Sequence, residues 1–158
     1  MKKLLFTALL FVAAFYAGAQ TTKPVLQSIG VKVYPGAITY KQYKTETLAK
    51  ELLAYFNDDG FRLTGLYEKH MPIPNAEGLQ WYVGGGGHFG LWNNSWRLRN
   101  PPSTAVFAIG VDGVLVLYYK IHNAPLAFSF DWQPSFNLVG HTYFEGGWGG
   151  LAVRYTFK

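Results

Sequence analysis

The chain has 158 residues and a formal net charge of +5, with 18% aromatic and 15% charged residues, 18 glycines and no cysteine. Its length allows one domain of ordinary size, and 49% hydrophobic residues can bury enough surface to exclude a disordered chain. The lack of cysteine excludes a disulfide-stapled miniprotein and thiolate metal sites, and the small net charge does not argue for a nucleic-acid partner.

The first 19 residues predict a secretory signal peptide. Residues 1–3 include two lysines, residues 4–16 form an apolar run of 13, and residues 17–19 form a small-x-small cleavage site. A transmembrane anchor is disfavoured, because a helix needs about 20 apolar residues to cross a bilayer. We therefore expect Sec-dependent export, removal of residues 1–19, and a single domain formed by residues 20–158.

The rest of the chain follows the period of two that is typical of β-strands. In residues 79–92, 126–133 and 151–158, every second residue is apolar, and the residues between them are small or polar. We call these two alternating sets of positions the two parities of a strand. Residues 47–56 also fit a short helix, because three apolar side chains there lie four residues apart. Turn sequences separate eight predicted strands: residues 26–34, 37–44, 50–57, 61–70, 79–92, 104–121, 126–134 and 147–157.

Eight strands with short connections predict an all-β fold, a closed antiparallel up-and-down barrel. The minor face carries few Lys and Glu and many small residues such as Gly84 and Ala127, which suits a crowded lumen better than a solvated surface. In an eight-stranded barrel, charges of both signs on that face would pair and plug the interior. The charges in question are Lys32, Arg62, Arg154, Glu68, Asp112 and Asp131.

Strand length and the placement of aromatic residues favour a barrel in a bilayer. Strands that cross a membrane need about 9 to 11 residues, whereas soluble strands cluster near 5 or 6. Several predicted strands reach the longer figure. Aromatic residues gather near strand ends, as in the interfacial girdles of membrane barrels. They are Trp81, Trp92, Trp96, Tyr118, Tyr119, Trp132, Trp148, Tyr155 and Phe157.

Four segments carry a resemblance to a known family: residues 84–90, 110–113, 128–134 and 153–158, the last an alternating strand that ends in Phe157 and Lys158. From residue 29 onward the chain resembles the small eight-stranded outer-membrane β-barrel proteins of Gram-negative bacteria. The resemblance implies a location in outer-membrane lipid and the barrel-assembly machinery as a partner. Members include structural, adhesive and lipid-modifying proteins, so the fold does not choose an activity.

No motif predicts a cofactor or a metal site. The G-x-G-x-x-G spacing in residues 85–90 lies inside a strand, whereas a dinucleotide site needs a strand, this turn and a helix. The four histidines are dispersed and none has metal-ligand spacing. They are His70, His88, His122 and His141. Ser135, His141 and Glu145 are spaced permissively for a lipid-modifying serine enzyme, which stays as an alternative.

With a periplasmic N-terminus, residues 93–103 and 135–146 would form the sizeable external loops. Arg97 and Arg99 in the first could bind lipopolysaccharide phosphates; a solvated loop is the alternative. We predict an outer-membrane barrel with a structural or surface-interaction role, without catalysis or an open pore. The alternatives are a soluble exported barrel that binds a small apolar ligand and a small channel. A channel is disfavoured because four predicted lumenal side chains would fill the bore: Tyr82, Lys32, Arg62 and Arg154.

Overall fold

The computed structural model describes residues 26–58, 60–99, 106–140 and 143–157. The predicted signal peptide lies outside these ranges. No helix within them is long and apolar enough to cross a membrane. The strands are β1 Gln27–Lys32, β2 Ala37–Tyr43, β3 Leu48–Asn57, β4 Gly60–Pro72, β5 Leu79–Trp92, β6 Phe107–Lys120, β7 Leu126–Trp132, β8 Ser135–Val139, β9 Phe144–Glu145 and β10 Gly150–Phe157, and a helix α1 spans Asn94–Arg99.

Eight of these strands close into an antiparallel barrel, which confirms the predicted fold. Strands β1 to β6 pair in chain order, β6 pairs with β7, and β10 joins β7 to β1. The shear number follows from the register of the paired strands. If cross-strand partners are followed once around the barrel from Lys120 of β6, the path comes back to β6 at Gly110, ten residues away, so the shear number is 10. For eight strands this shear gives a tilt of about 40° and an interior that side chains can fill.

The seventh predicted strand, residues 126–134, continues beyond residue 134 as a further strand, β8. Strand β7 pairs with one half of β6 and β8 with the other half, and Gln133 and Pro134 lie between them. Proline cannot donate to the ladder, but its carbonyl accepts from the Gly113 amide at 2.9 Å. Strand β8 then turns back into β9. The prediction that residues 135–146 form a loop is therefore wrong for both of these strands.

The predicted loop over residues 93–103 is wrong where it contains α1. Asn93 caps this helix, because its Oδ1 accepts from the Trp96 amide at 3.0 Å and its carbonyl accepts from the Arg97 amide at 3.3 Å. The helix brings the buried Trp96 ring onto Trp92, with 5.1 Å between the ring centroids. Six residues are too few to show a helical apolar period. The helical alternative for residues 47–56 is also wrong, since this segment lies in β3 and the turn before it.

Gly86 of β5 lies against the backbone of β4 so closely that a side chain would not fit. A Cβ at Gly86 would lie 1.8 Å from the carbonyl oxygen of Gly65, whereas a Cβ at Gly65 would meet nothing within 4 Å. We expect Gly86→Ala to lower the free energy of unfolding by about 1–3 kcal/mol through overpacking. Gly65→Ala is the matched control and should cost less than about 0.5 kcal/mol. Denaturant titrations followed by tryptophan fluorescence would measure both; equal effects would contradict the close contact.

Candidate functional site: an apolar outer wall around a charged interior

The outward-facing side chains of the barrel are apolar over most of its surface. Leu115 and Leu117 of β6 are 45% and 48% exposed, and Phe128 and Phe130 of β7 are 44% and 61% exposed. The side chains between them in sequence point inward and are buried. The predicted alternation is confirmed in β5, β7 and β10, and in each case the apolar parity faces outward.

Aromatic residues divide between the outer wall and the interior. Five of the nine predicted rim aromatics are exposed on the outside: Trp81, Tyr119, Trp132, Tyr155 and Phe157. The prediction is wrong for the other four, which are buried with 3% to 7% exposure: Trp92, Trp96, Tyr118 and Trp148. Outward aromatic residues that were not predicted, Phe56, Phe107 and Phe144 among them, lie near the end of the barrel opposite the termini, meaning here the first residue of β1 and the last residue of β10.

The interior near the chain termini holds a chain of charged groups. Arg154 of β10 donates to Glu51 Oε1 through Nε at 3.2 Å and Nη2 at 2.7 Å. Lys41 Nζ lies 3.3 Å from Glu51 Oε2 and 2.7 Å from Glu68 Oε2, although neither contact is aligned as a hydrogen bond. The same ammonium lies 3.9 Å from the centre of the Tyr82 ring. Two cations and two carboxylates therefore share one buried network.

A second group of charges fills the interior further from the termini. Lys32 Nζ donates to Asp131 Oδ1 at 2.5 Å and also to the Tyr55 hydroxyl at 3.1 Å. Arg62 pairs with Asp112, whose Oδ2 lies 2.8 Å from His88 Nδ1. These side chains are buried, and they occupy the lumen together with the first network.

Glu145 of β9 joins the β8–β9 hairpin to the barrel interior. Its Oε2 accepts from Arg62 Nη1 at 3.1 Å and from Trp148 Nε1 at 2.5 Å, and the Ser135 hydroxyl lies 3.5 Å away. The Tyr143 hydroxyl donates to the other carboxylate oxygen. Burial and this contact raise the pKa of Tyr143 above its ordinary value. The Glu145 carboxylate thus links Arg62, Tyr143 and Trp148 at this end of the barrel.

The predicted interior charges all lie inside, but two of their partners were missed. Lys32 with Asp131 and Arg62 with Asp112 are pairs among the predicted residues. The other two, Arg154 and Glu68, pair with the residues that sequence reasoning missed, Glu51 and Lys41. Both missed residues are on the inward parity of β2 or β3, where the alternation of the sequence is weakest.

The remaining candidate residues are spread over the molecule. His70 and His88 are buried in the two networks, and His122 lies exposed in a turn, 3.2 Å from Glu77. His141 lies outside the described residues, so the structure describes only Ser135 and Glu145 of the proposed serine site. Two further candidates are the arginines that could bind lipopolysaccharide. Arg97 is partly buried and donates to Asn94, and the Arg99 side chain is outside the described set.

A scan against protein-family models finds no family that matches the chain, and a search of curated proteins finds no match.

Breaking the network near the termini should destabilise the barrel. Glu51→Gln removes the carboxylate that Arg154 and Lys41 share, which leaves buried positive charge uncompensated. We expect a loss of about 3 kcal/mol in the free energy of unfolding. Glu51→Gln combined with Arg154→Gln should lose less than the sum of the single changes, because the two groups interact.

Chemical denaturation of the single and double variants would test this prediction. Glu46→Gln is the control, because Glu46 is exposed in the turn between β2 and β3 and should leave stability unchanged. A Glu51→Gln variant as stable as this control would contradict the role assigned to the network.

Proposed function

We propose that the chain is an integral protein of the bacterial outer membrane, with a structural or surface-interaction role and with its outer wall in lipid. The observation that carries this proposal is the polarity of the barrel. Leucine, valine and phenylalanine side chains cover the outside, while paired lysine, arginine and carboxylate groups fill the inside. Transmembrane barrels have this arrangement.

The alternative of a soluble exported barrel would call for the opposite polarity. Such a barrel turns its apolar side chains inward around a ligand and keeps charges in water. Soluble monomers rarely expose a contiguous apolar patch of more than a few hundred Å². An outer wall made of residues such as Phe130 and Leu151, 61% and 59% exposed, therefore favours a lipid environment.

A role without an open pore or catalysis fits the contents of the interior. The four side chains expected in the bore are at most 2% exposed: Tyr82, Lys32, Arg62 and Arg154. Among the described residues, the Ser135 hydroxyl accepts from Arg62 Nη1 at 3.3 Å and lies 3.5 Å from Glu145 Oε2, so it takes part in the polar filling of the interior.

The proposed partners follow from the two ends of the barrel. Strand β10 has the alternating pattern and carries Phe157 as its last residue, and on this basis we propose the barrel-assembly machinery as one partner. At the opposite end, α1 carries Arg97 and Arg99 next to the buried Trp96. Lipopolysaccharide binding by these arginines stays a prediction that their joint replacement by alanine would test, and unchanged lipid affinity would refute it.

Fractionation and gel mobility test the proposed location directly. We expect the protein in a purified outer-membrane fraction, and we expect its mobility in detergent gels to change when the sample is boiled. A closed barrel held by ladder hydrogen bonds on both sides of each of its eight barrel strands should resist detergent until heated. Recovery in the soluble periplasmic fraction would overturn the proposal and would favour the ligand-binding alternative.

A charge placed on the outer wall distinguishes lipid from water around it. Leu115→Arg should lower the free energy of unfolding in lipid vesicles by about 2–4 kcal/mol, because the guanidinium would enter hydrocarbon. Leu98→Arg is the control, since Leu98 is 81% exposed on α1 and outside the barrel wall. Reversible urea unfolding would measure both changes. If the wall faces water, Leu115→Arg should cost no more than the control.

A further inference from the structure

The outer wall carries charge in one place among the described strand positions. Lys50 of β3 and Lys69 of β4 face outward, both near the end of the barrel that holds the chain termini. Lys44 lies beside them at the end of β2. All three lysines are exposed. The other outward positions of the described strands are apolar, glycine or uncharged, so this basic patch is a local departure from the apolar wall.

The strand register brings the three lysines together around one side chain. Leu48 pairs with Lys69 on β4, and its carbonyl accepts from the Lys44 amide at 2.8 Å on the β2 side. Lys50 is two residues further along the same face of β3. Neighbouring strands lie about 5 Å apart, and alternate residues of a strand about 7 Å apart, so the three side chains can reach one small group.

Within the part of the chain that the structure describes, no carboxylate neutralises the charge of this patch. No described carboxylate lies within ion-pair distance of Lys44, Lys50 or Lys69. The acidic residues beside them in sequence, Glu51 and Glu68, point inward and are taken up by the interior network. Glu46 is exposed at the tip of the adjoining turn.

An aromatic hydroxyl completes the patch. Tyr67 is the direct cross-strand partner of Lys50 and is 49% exposed on the same outer face. Tyrosine and lysine side chains both place an apolar stem against hydrocarbon and a polar tip at the level of lipid headgroups. The patch therefore combines three positive charges and a phenol at the edge of the apolar wall.

We propose that Lys44, Lys50, Lys69 and Tyr67 form a binding site for the phosphate headgroup of an anionic phospholipid. The site would take a lipid from the leaflet at the end of the barrel that holds the termini. This inference rests on the proposed membrane location. The reasons for this occupant are the charge complementarity of ammonium and phosphate and the continuity of the patch with the apolar wall, which would hold the acyl chains.

Native mass spectrometry of the folded barrel in mild detergent would test the site. The protein is mixed with equal amounts of phosphatidylglycerol and phosphatidylcholine, and the bound lipids are counted. We expect a preference for phosphatidylglycerol in the unsubstituted protein. In the triple variant Lys44→Gln, Lys50→Gln, Lys69→Gln, the ratio of bound phosphatidylglycerol to bound phosphatidylcholine should fall at least about tenfold. The reason is that each lysine near an anionic lipid raises the affinity for that lipid several-fold.

Lys120→Gln is the control, since it removes a positive charge from β6, at the same end of the barrel but two strands away from Lys69 on β4, and should keep the preference. The heat-dependent gel mobility of each variant would verify that it is folded. The inference is overturned if the triple variant binds phosphatidylglycerol as the unsubstituted protein does, or if Lys120→Gln loses the preference equally. Recovery of the unsubstituted protein as a soluble periplasmic species would instead refute the membrane location on which the site depends.

Discussion

The ion pairs that cross the lumen are the interaction on which the rest of the barrel depends. Lys32 and Asp131 join β1 to β7, Arg62 and Asp112 join β4 to β6, and Arg154 with Glu51 joins β10 to β3. None of these strand pairs are neighbours in the sheet. A buried charge is tolerated only when it is paired and hydrogen-bonded. Each pair therefore requires the closed barrel, and each also links strands that the backbone ladder leaves apart.

The polar filling of the lumen accounts for the apolar side chains of the outer wall. Successive side chains of a strand lie on opposite sides of the sheet, so a strand that sends its polar parity inward must send its apolar parity outward. The end opposite the termini adds a further element, because Glu145 holds the β8–β9 hairpin against Arg62 and Trp148. Trp96 stacks over Trp92 at that end. The β8–β9 hairpin and α1 thus both contribute side chains to this end of the interior.

Strands with strict alternation could be predicted from the sequence, and elements that depend on local contacts could not. In β5, β7 and β10 the two parities differ clearly, and the barrel and the inward charges follow from them. On β3 the inward parity includes Leu53 and Tyr55 beside Glu51, which conceals the charge. Trp92 and Tyr118 are at inward positions of their strands, so the alternation of the sequence indicates that they are buried. The prediction placed them at the rim because they lie near strand ends, and it did not take this alternation into account. Trp96 and Trp148 lie outside the strands, where parity gives no direction.

The basic patch lies in the same part of the barrel where the alternation is weakest. Lys50 places a charge on the outward parity of β3, and Lys69 does so on β4, although inward positions on these strands already hold Glu51 and Glu68. A lysine on the outer wall does not serve the interior network, because its ammonium faces away from every lumenal carboxylate. Local departures from an otherwise consistent pattern are expected at functional sites. Three such lysines around Leu48 are therefore better explained by an external anion than by the stability of the barrel.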